Sequence, residues 1–200
     1  PDESLASWAL RFCRSIDGVI CTDFNMACRL HEMRPQLELH TSCNCFIETT
    51  REMDMWHQYA GISVFNPPRE FIRRPDKLKE MRATGYKLKY LVNESCMFGC
   101  PQNKNHVMAW AVDNTEFGSQ CHHNVTSNFF RGVSIVPRWM KQLDPYVDIY
   151  KISGRRVPFR VLKETFETIV SNGIDKSEIE AVLNKEEFQA KERDFDSMPK

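Results

Sequence analysis

Short runs of β-favouring residues return along this chain with helical patterns between them, and that alternation constrains the fold more than any other feature. The runs are 17–24 (DGVICTDF), 37–42 (LELHTS), 61–66 (GISVFN), 86–93 (YKLKYLVN), 132–137 (GVSIVP) and 147–153 (VDIYKIS), six candidate strands. Helical patterns occupy 3–14, 25–33, 50–59, 76–83, 137–143 and 158–170; in the last, Val161, Leu162, Thr165, Phe166 and Ile169 recur at helical spacing. Asp2 and Ser4 suit the N-cap of the first helix, and Gly85 and Gly173 suit helix ends. Strand, helix and strand in steady succession predict a parallel sheet with helical crossovers. No dinucleotide-type glycine loop accompanies the units, which favours an α/β fold of the (β/α)8 TIM-barrel type over a doubly wound sheet. A complete barrel takes eight strands and about 250 residues. The chain is therefore expected to be a fragment carrying about six of eight units, incomplete at its N-terminal side.

The expected organisation is a partial barrel over 1–173 with a cysteine-rich insertion at 95–131, then a charged helical extension over 174–200. Lys+Arg and Asp+Glu balance at 27 each, so charge offers no signal for nucleic acid or an acidic membrane. No apolar run approaches the roughly 20 residues that span a bilayer, and a cytoplasmic location is expected.

Strand alternation makes a statement about the lumen. In 36–42, Leu37 and Leu39 fall on one face and Glu38, His40 and Ser42 on the other; in 148–154, Tyr150 and Ile152 oppose Ile149, Lys151 and Ser153. With the apolar set against the helices, the lumen is polar. Glu38, His40, Asn66, Asn93, Glu94 and Lys151 are then expected at or near the C-terminal strand ends, where barrel enzymes keep their chemistry. Solvated residues on irregular strands are the competing reading.

The insertion gathers Cys96, Cys100, Cys121, His106, His122 and His123. Loops of more than about 15 residues without structure of their own are usually functional or disordered. Thiolates are the ligands that zinc and iron–sulfur clusters select, and Cys96-x3-Cys100-Pro101 places two of them within reach of one centre, with Cys121 as a natural third. Cys43 and Cys45 follow a strand and offer a fourth; a fourth outside this segment and a three-cysteine cluster with an open iron are the other two readings, and spacing does not choose among them. Ordinary buried thiols are the alternative.

The order of these motifs resembles the collagenase-like peptidase family U32. LHTSCNCFIETTREMDMWHQYAGISVFNPPRE looks like its mid-barrel segment, and KYLVNESCMFGC resembles the strand that ends in its first cluster cysteine. SQCHHN falls where the family has a third cysteine, and DIYKISGR is similar to its KIEGR strand, with Ser153 in place of the glutamate. The resemblance covers most of 17–172 and departs also in the short Cys96–Cys100 interval. It implies a β/α barrel and a 4Fe–4S cluster on Cys96, Cys100 and Cys121, with zinc as the alternative cofactor. It further implies a redox enzyme, hydroxylating a nucleobase or small molecule without oxygen, of the kind some members perform on tRNA or rRNA bases or the ubiquinone ring. A peptidase, as the family name suggests, and a zinc-stabilised non-catalytic barrel are the alternatives. No nucleophile elbow or His-Glu zinc helix is present.

Within that reading His40, Glu94 and Lys151 are the expected catalytic residues, because imidazole titrates near neutrality and a strand-end carboxylate can be tuned by burial. Asn66, Asn93, Lys151 and Arg155 are the expected substrate contacts, the two cations holding an anionic group while Gly154 lets the backbone approach it. His122 and His123 are expected around the cluster. A small-molecule or nucleobase substrate and a partner subunit are the expected partners.

Overall fold

The computed structural model describes residues 7, 11, 17–92, 99–111, 137–152, 163 and 167. In chain order its elements are β1 (Gly18–Cys21), α1 (Phe24–Met33), β2 (Glu38–Thr41), a 3-10 turn (Cys43–Cys45), α2 (Thr50–Ala60) and β3 (Ile62–Phe65). A second 3-10 turn (Arg69–Arg73), α3 (Pro75–Arg82), β4 (Lys87–Leu91), α4 (Asn103–Ala111), α5 (Pro137–Leu143) and β5 (Ile149–Lys151) follow. The five strands form one sheet in the order β1-β2-β3-β4-β5. β1 to β4 pair in parallel, and the register shifts between Leu39 and His40 on β2. Each strand lies beside its chain neighbour, with no reversal of order. That is the topology of a partial TIM-type barrel, whereas a doubly wound sheet changes direction at a switch point.

The residues group into two compact units, Pro1–Pro68 with Asp76–Tyr90 and Tyr146–Asp148, and Arg69–Pro75 with Leu91–Pro145 and Ile149–Lys200. In the first, local sequence sets the boundaries. Asp23 caps α1 by accepting from the Met26 N–H at 2.7 Å. Thr49 and Glu52 form a capping box on α2, the Thr49 hydroxyl taking the Glu52 N–H and the Glu52 carboxylate the Thr49 N–H. Gly61 ends α2 at φ 62°, and a Cβ there would strike the His31 ring, so glycine is required twice over. A Cβ on Gly18 would sit 2.6 Å from the Glu38 carbonyl, so glycine also permits the close β1–β2 pairing.

Met53, Trp56 and Ala60 recur on one face of α2 and are buried, as are Ala27 and Leu30 of α1. Phe24 meets Trp56 edge to face at 4.9 Å. Leu39, Ile62, Val64, Phe65, Leu78 and Leu88 are fully enclosed. Each large apolar side chain so buried contributes about 1.5–3 kcal/mol against chain entropy. The Asp148 carboxylate accepts from Arg82 Nη1 at 2.6 Å and from the Leu88 N–H at 2.8 Å, while the Asp148 N–H donates to the Leu88 carbonyl.

In the second unit the Val92 N–H donates to the Lys151 carbonyl. Asn103 takes a hydrogen bond from buried Arg69 at 3.1 Å and gives one to Glu70 at 2.7 Å, joining the second 3-10 turn to α4. The buried Tyr150 hydroxyl lies 2.7 Å from the Met140 carbonyl and 2.8 Å from the Asp144 carboxylate. Burial first, and Asp144 second, push its ionisation upward.

Two sequence expectations need adjustment. The insertion contains a helix, α4, where a loop is expected, because its first turn is polar and its buried positions include Asn103 and His106. α5 spans Pro137–Leu143, the helical pattern read from the sequence, since a fixed φ and a missing N–H suit a first helical turn; 132–136 lie outside the described residues. Glu38 opens β2 and therefore lies at its N-terminal end, away from the mouth. Ser7, Arg11, Lys163 and Glu167 are helical, in keeping with the first and last helical patterns. Among the described residues no helix is long and apolar enough to cross a membrane.

Candidate functional site

The C-terminal strand ends of the first unit carry its chemistry-bearing residues. After β2, Ser42 Oγ accepts from the Asn44 N–H at 3.2 Å and sets up the Cys43–Cys45 turn. Cys45 Sγ donates to the Cys21 carbonyl at 3.3 Å, and Cys43 Sγ lies 3.7 Å from Asn44 Oδ1. Burial pushes the Cys45 thiol up to about 12, helped by Cys21 and Cys43, and burial with Asp23 nearby pushes Cys21 up to about 11. These thiols keep their protons at neutral pH and behave as small apolar groups. Among the described residues no group of three or more His, Cys, Asp or Glu is placed to hold a metal ion.

After β3 the arrangement differs. The Asn66 N–H donates to Thr41 Oγ1 at 2.8 Å, and Thr41 is fully buried. Pro67 restricts Asn66 to extended backbone, and the carbonyl of Pro68 accepts from the buried Tyr90 hydroxyl at 3.1 Å. The main chain is thus held on both sides. The Asn66 side chain is not: the residue is 1% exposed, and among the described residues neither its Oδ1 nor its Nδ2 finds a hydrogen-bond partner. A buried carboxamide left in that state costs about 1–3 kcal/mol.

His40 is the third residue of β2, and its Nε2 lies 3.0 Å from Glu38 Oε1. Leu39 and Thr41, on the other face of the strand, are fully buried. This matches the division of β2 read from the sequence. Lys89 of β4 is buried as well.

In the second unit, Cys100 is a part-buried free thiol after Gly99, whose φ is +66°. The Asn103 N–H donates to the Cys100 carbonyl, so the thiol is carried directly ahead of α4. His106, within α4, is buried. Lys151 ends β5 and is half-buried. Asn93, Glu94, Cys96, Cys121, His122, His123 and Arg155 lie outside the described residues. The structure therefore brings His40 and Asn66 into the same unit and carries Cys100 and Lys151 in the other. Sequence reading misses Thr41, the residue that fixes Asn66. Its one signal there is alternation with Leu39, which marks burial and not a partner.

No family model matches the chain. Over 151 residues, 70% of the chain, it is 24% identical to the uncharacterized protease MJ1657 of Methanocaldococcus jannaschii. The chain spans 45% of that protease's length. Among solved structures it is similar to the U32 peptidase Mk0906, with TM-score 0.47 and 11% identity, covering 78% of this chain and 63% of that one. Motif order along 17–172 resembles the U32 peptidase family, and the chain is a distant and partial relative of the archaeal protease.

Proposed function

We propose that this chain is the barrel portion of an iron–sulfur redox enzyme that hydroxylates, or similarly modifies, a nucleobase or small ring without oxygen. The observation that carries the substrate half of this reading is Asn66. A rigid frame of Thr41, Pro67, Pro68 and Tyr90 holds the residue just past the end of β3, with both polar atoms of its side chain buried and unpartnered among the described residues. A ring bearing an N–H beside a carbonyl satisfies donor and acceptor together. Asn93, Lys151 and Arg155 supply further contacts in this reading, and His40, Glu94 and Lys151 serve acid–base steps.

Cys96, Cys100 and Cys121 are the proposed ligands of a 4Fe–4S cluster. The soft donor set suits the group, and Cys100, the described member, is a free thiol placed on a turn ahead of a helix. Such a cluster supplies electrons to the chemistry. The archaeal relative's description as a protease favours peptide hydrolysis as the second reading.

The test is iron and acid-labile sulfide content, with an absorption spectrum, on the full-length protein purified without oxygen. Near-stoichiometric cluster iron that disappears in Cys100→Ala and persists in Cys43→Ala is the expected result. Absence of iron and sulfide after reconstitution, with zinc or peptide cleavage in their place, overturns it.

A further inference from the structure

Glu38 and His40 lie two residues apart on β2 and so share a face, the one opposite Leu39 and Thr41. Their 3.0 Å contact joins a side chain 15% exposed, His40, to one 49% exposed, Glu38. Solvent therefore reaches the pair from the Glu38 side. β1 sets Gly18 opposite Glu38 and Ile20 opposite His40, and β3 sets Val64 opposite His40, so neither neighbouring strand brings a charge at those positions. Charge comes instead from Lys87 and Lys89 on β4. The contact with His40 is the largest influence holding the Glu38 carboxyl below its ordinary range, and these lysines add to it. Glu38 is therefore an anion at neutral pH, on a backbone fixed by its N–H bond to the Asp17 carbonyl and by its pairing with Gly18.

A half-buried imidazole on its own loses its proton readily, because burial penalises the cation. A carboxylate at hydrogen-bonding distance reverses that balance. We propose that Glu38 is a positioning residue for His40, holding its imidazole in the protonated, proton-donating form on the accessible face of β2. The proposal rests on the reading of His40 as an acid–base group of the barrel. In that role His40 gives a ring proton to an oxygen or nitrogen of the bound substrate, is left as neutral imidazole, and is reprotonated from water.

The experiment is an NMR titration of the histidine ring protons in the full-length protein, with the His40 signal assigned by its loss in His40→Gln. Glu38→Gln lowers the His40 midpoint by about one pH unit, and Lys87→Met, which removes a like charge, raises it. A midpoint unchanged by Glu38→Gln overturns the proposal. The second readout is the pH profile of substrate turnover, whose alkaline limb falls by the same interval in Glu38→Gln. If the midpoint moves and the limb does not, Glu38 does not act through a catalytic His40, and the proposal falls on that count. Iron content in Glu38→Gln stays at the wild-type level. A failure of the cluster reading is thereby distinguished from a failure of this one.

Discussion

The ends of β2 and β3 are neighbours in the sheet and are built to opposite plans. At the end of β2 the polar groups answer one another: Ser42 takes the Asn44 N–H, Cys45 gives to the Cys21 carbonyl, and Thr41 takes the N–H of Asn66. At the end of β3 the backbone is equally well held, but the Asn66 carboxamide is buried with neither atom paired among the described residues. One end has its polar groups paired as folded, with the part-buried Cys45 thiol held to the Cys21 carbonyl. The other keeps donor and acceptor in reserve, and the proposed substrate site rests on that difference.

The sharpest test of the β2 side is chemical. Cys45 moves from an ordinary 9.0 to about 12, so its thiolate fraction at pH 8 is lower by about a thousandfold than in the unfolded chain. Iodoacetamide should modify it slower by about that factor in the native protein, as read by peptide mass spectrometry. Alkylation within tenfold of the unfolded rate would break the comparison. The same shift fixes the sign of an alkaline effect. Between pH 9 and about 12 the unfolded chain has lost the proton that the folded thiol keeps, so this contribution to stability is whole below 9 and is lost as pH rises to 12. Cys45→Ala flattens that part of the stability profile.

The β3 side predicts an inversion of the usual mutational pattern. Asn66→Leu keeps the branched shape and removes the unpaired amide, so the ligand-free protein gains about 1–3 kcal/mol in denaturant unfolding. Substrate turnover falls about a hundredfold, the worth of two hydrogen bonds made to the ring. A variant both less stable and fully active would show that Asn66 belongs with the self-satisfied groups of β2.

Much of this arrangement is legible in the sequence. Alternation of Leu37 and Leu39 against Glu38 and His40 marks the two faces of β2, and all five strands fall within runs read from sequence, because β-branched and aromatic clusters bounded by Gly, Pro and Asn are local signals. Asn66 stands out through its place before a proline pair at a strand end. Two things are not legible. α4 escapes because its burial rests on Asn103 and His106, polar residues whose enclosure depends on Arg69 and other distant partners that no periodicity encodes. The raised ionisation of Cys45 escapes because it follows burial, and spacing carries no information about burial.

The smallest effect isolates the tie between the two ends. Thr41→Val preserves shape but leaves the buried Asn66 N–H without its acceptor, a cost of about 1–3 kcal/mol. Thr41→Ser keeps the hydroxyl and loses only a methyl, at about 1 kcal/mol. If the hydrogen bond is what positions Asn66, the valine variant is the less stable of the two and alone weakens substrate binding, while the serine variant binds as the wild type does. Equal losses in both would mean that packing around Thr41 holds the end of β3. The frame around Asn66 would then be set by Pro67, Pro68 and Tyr90, and the strand end that looks complete would contribute no hydrogen bond to the one that waits for a ligand.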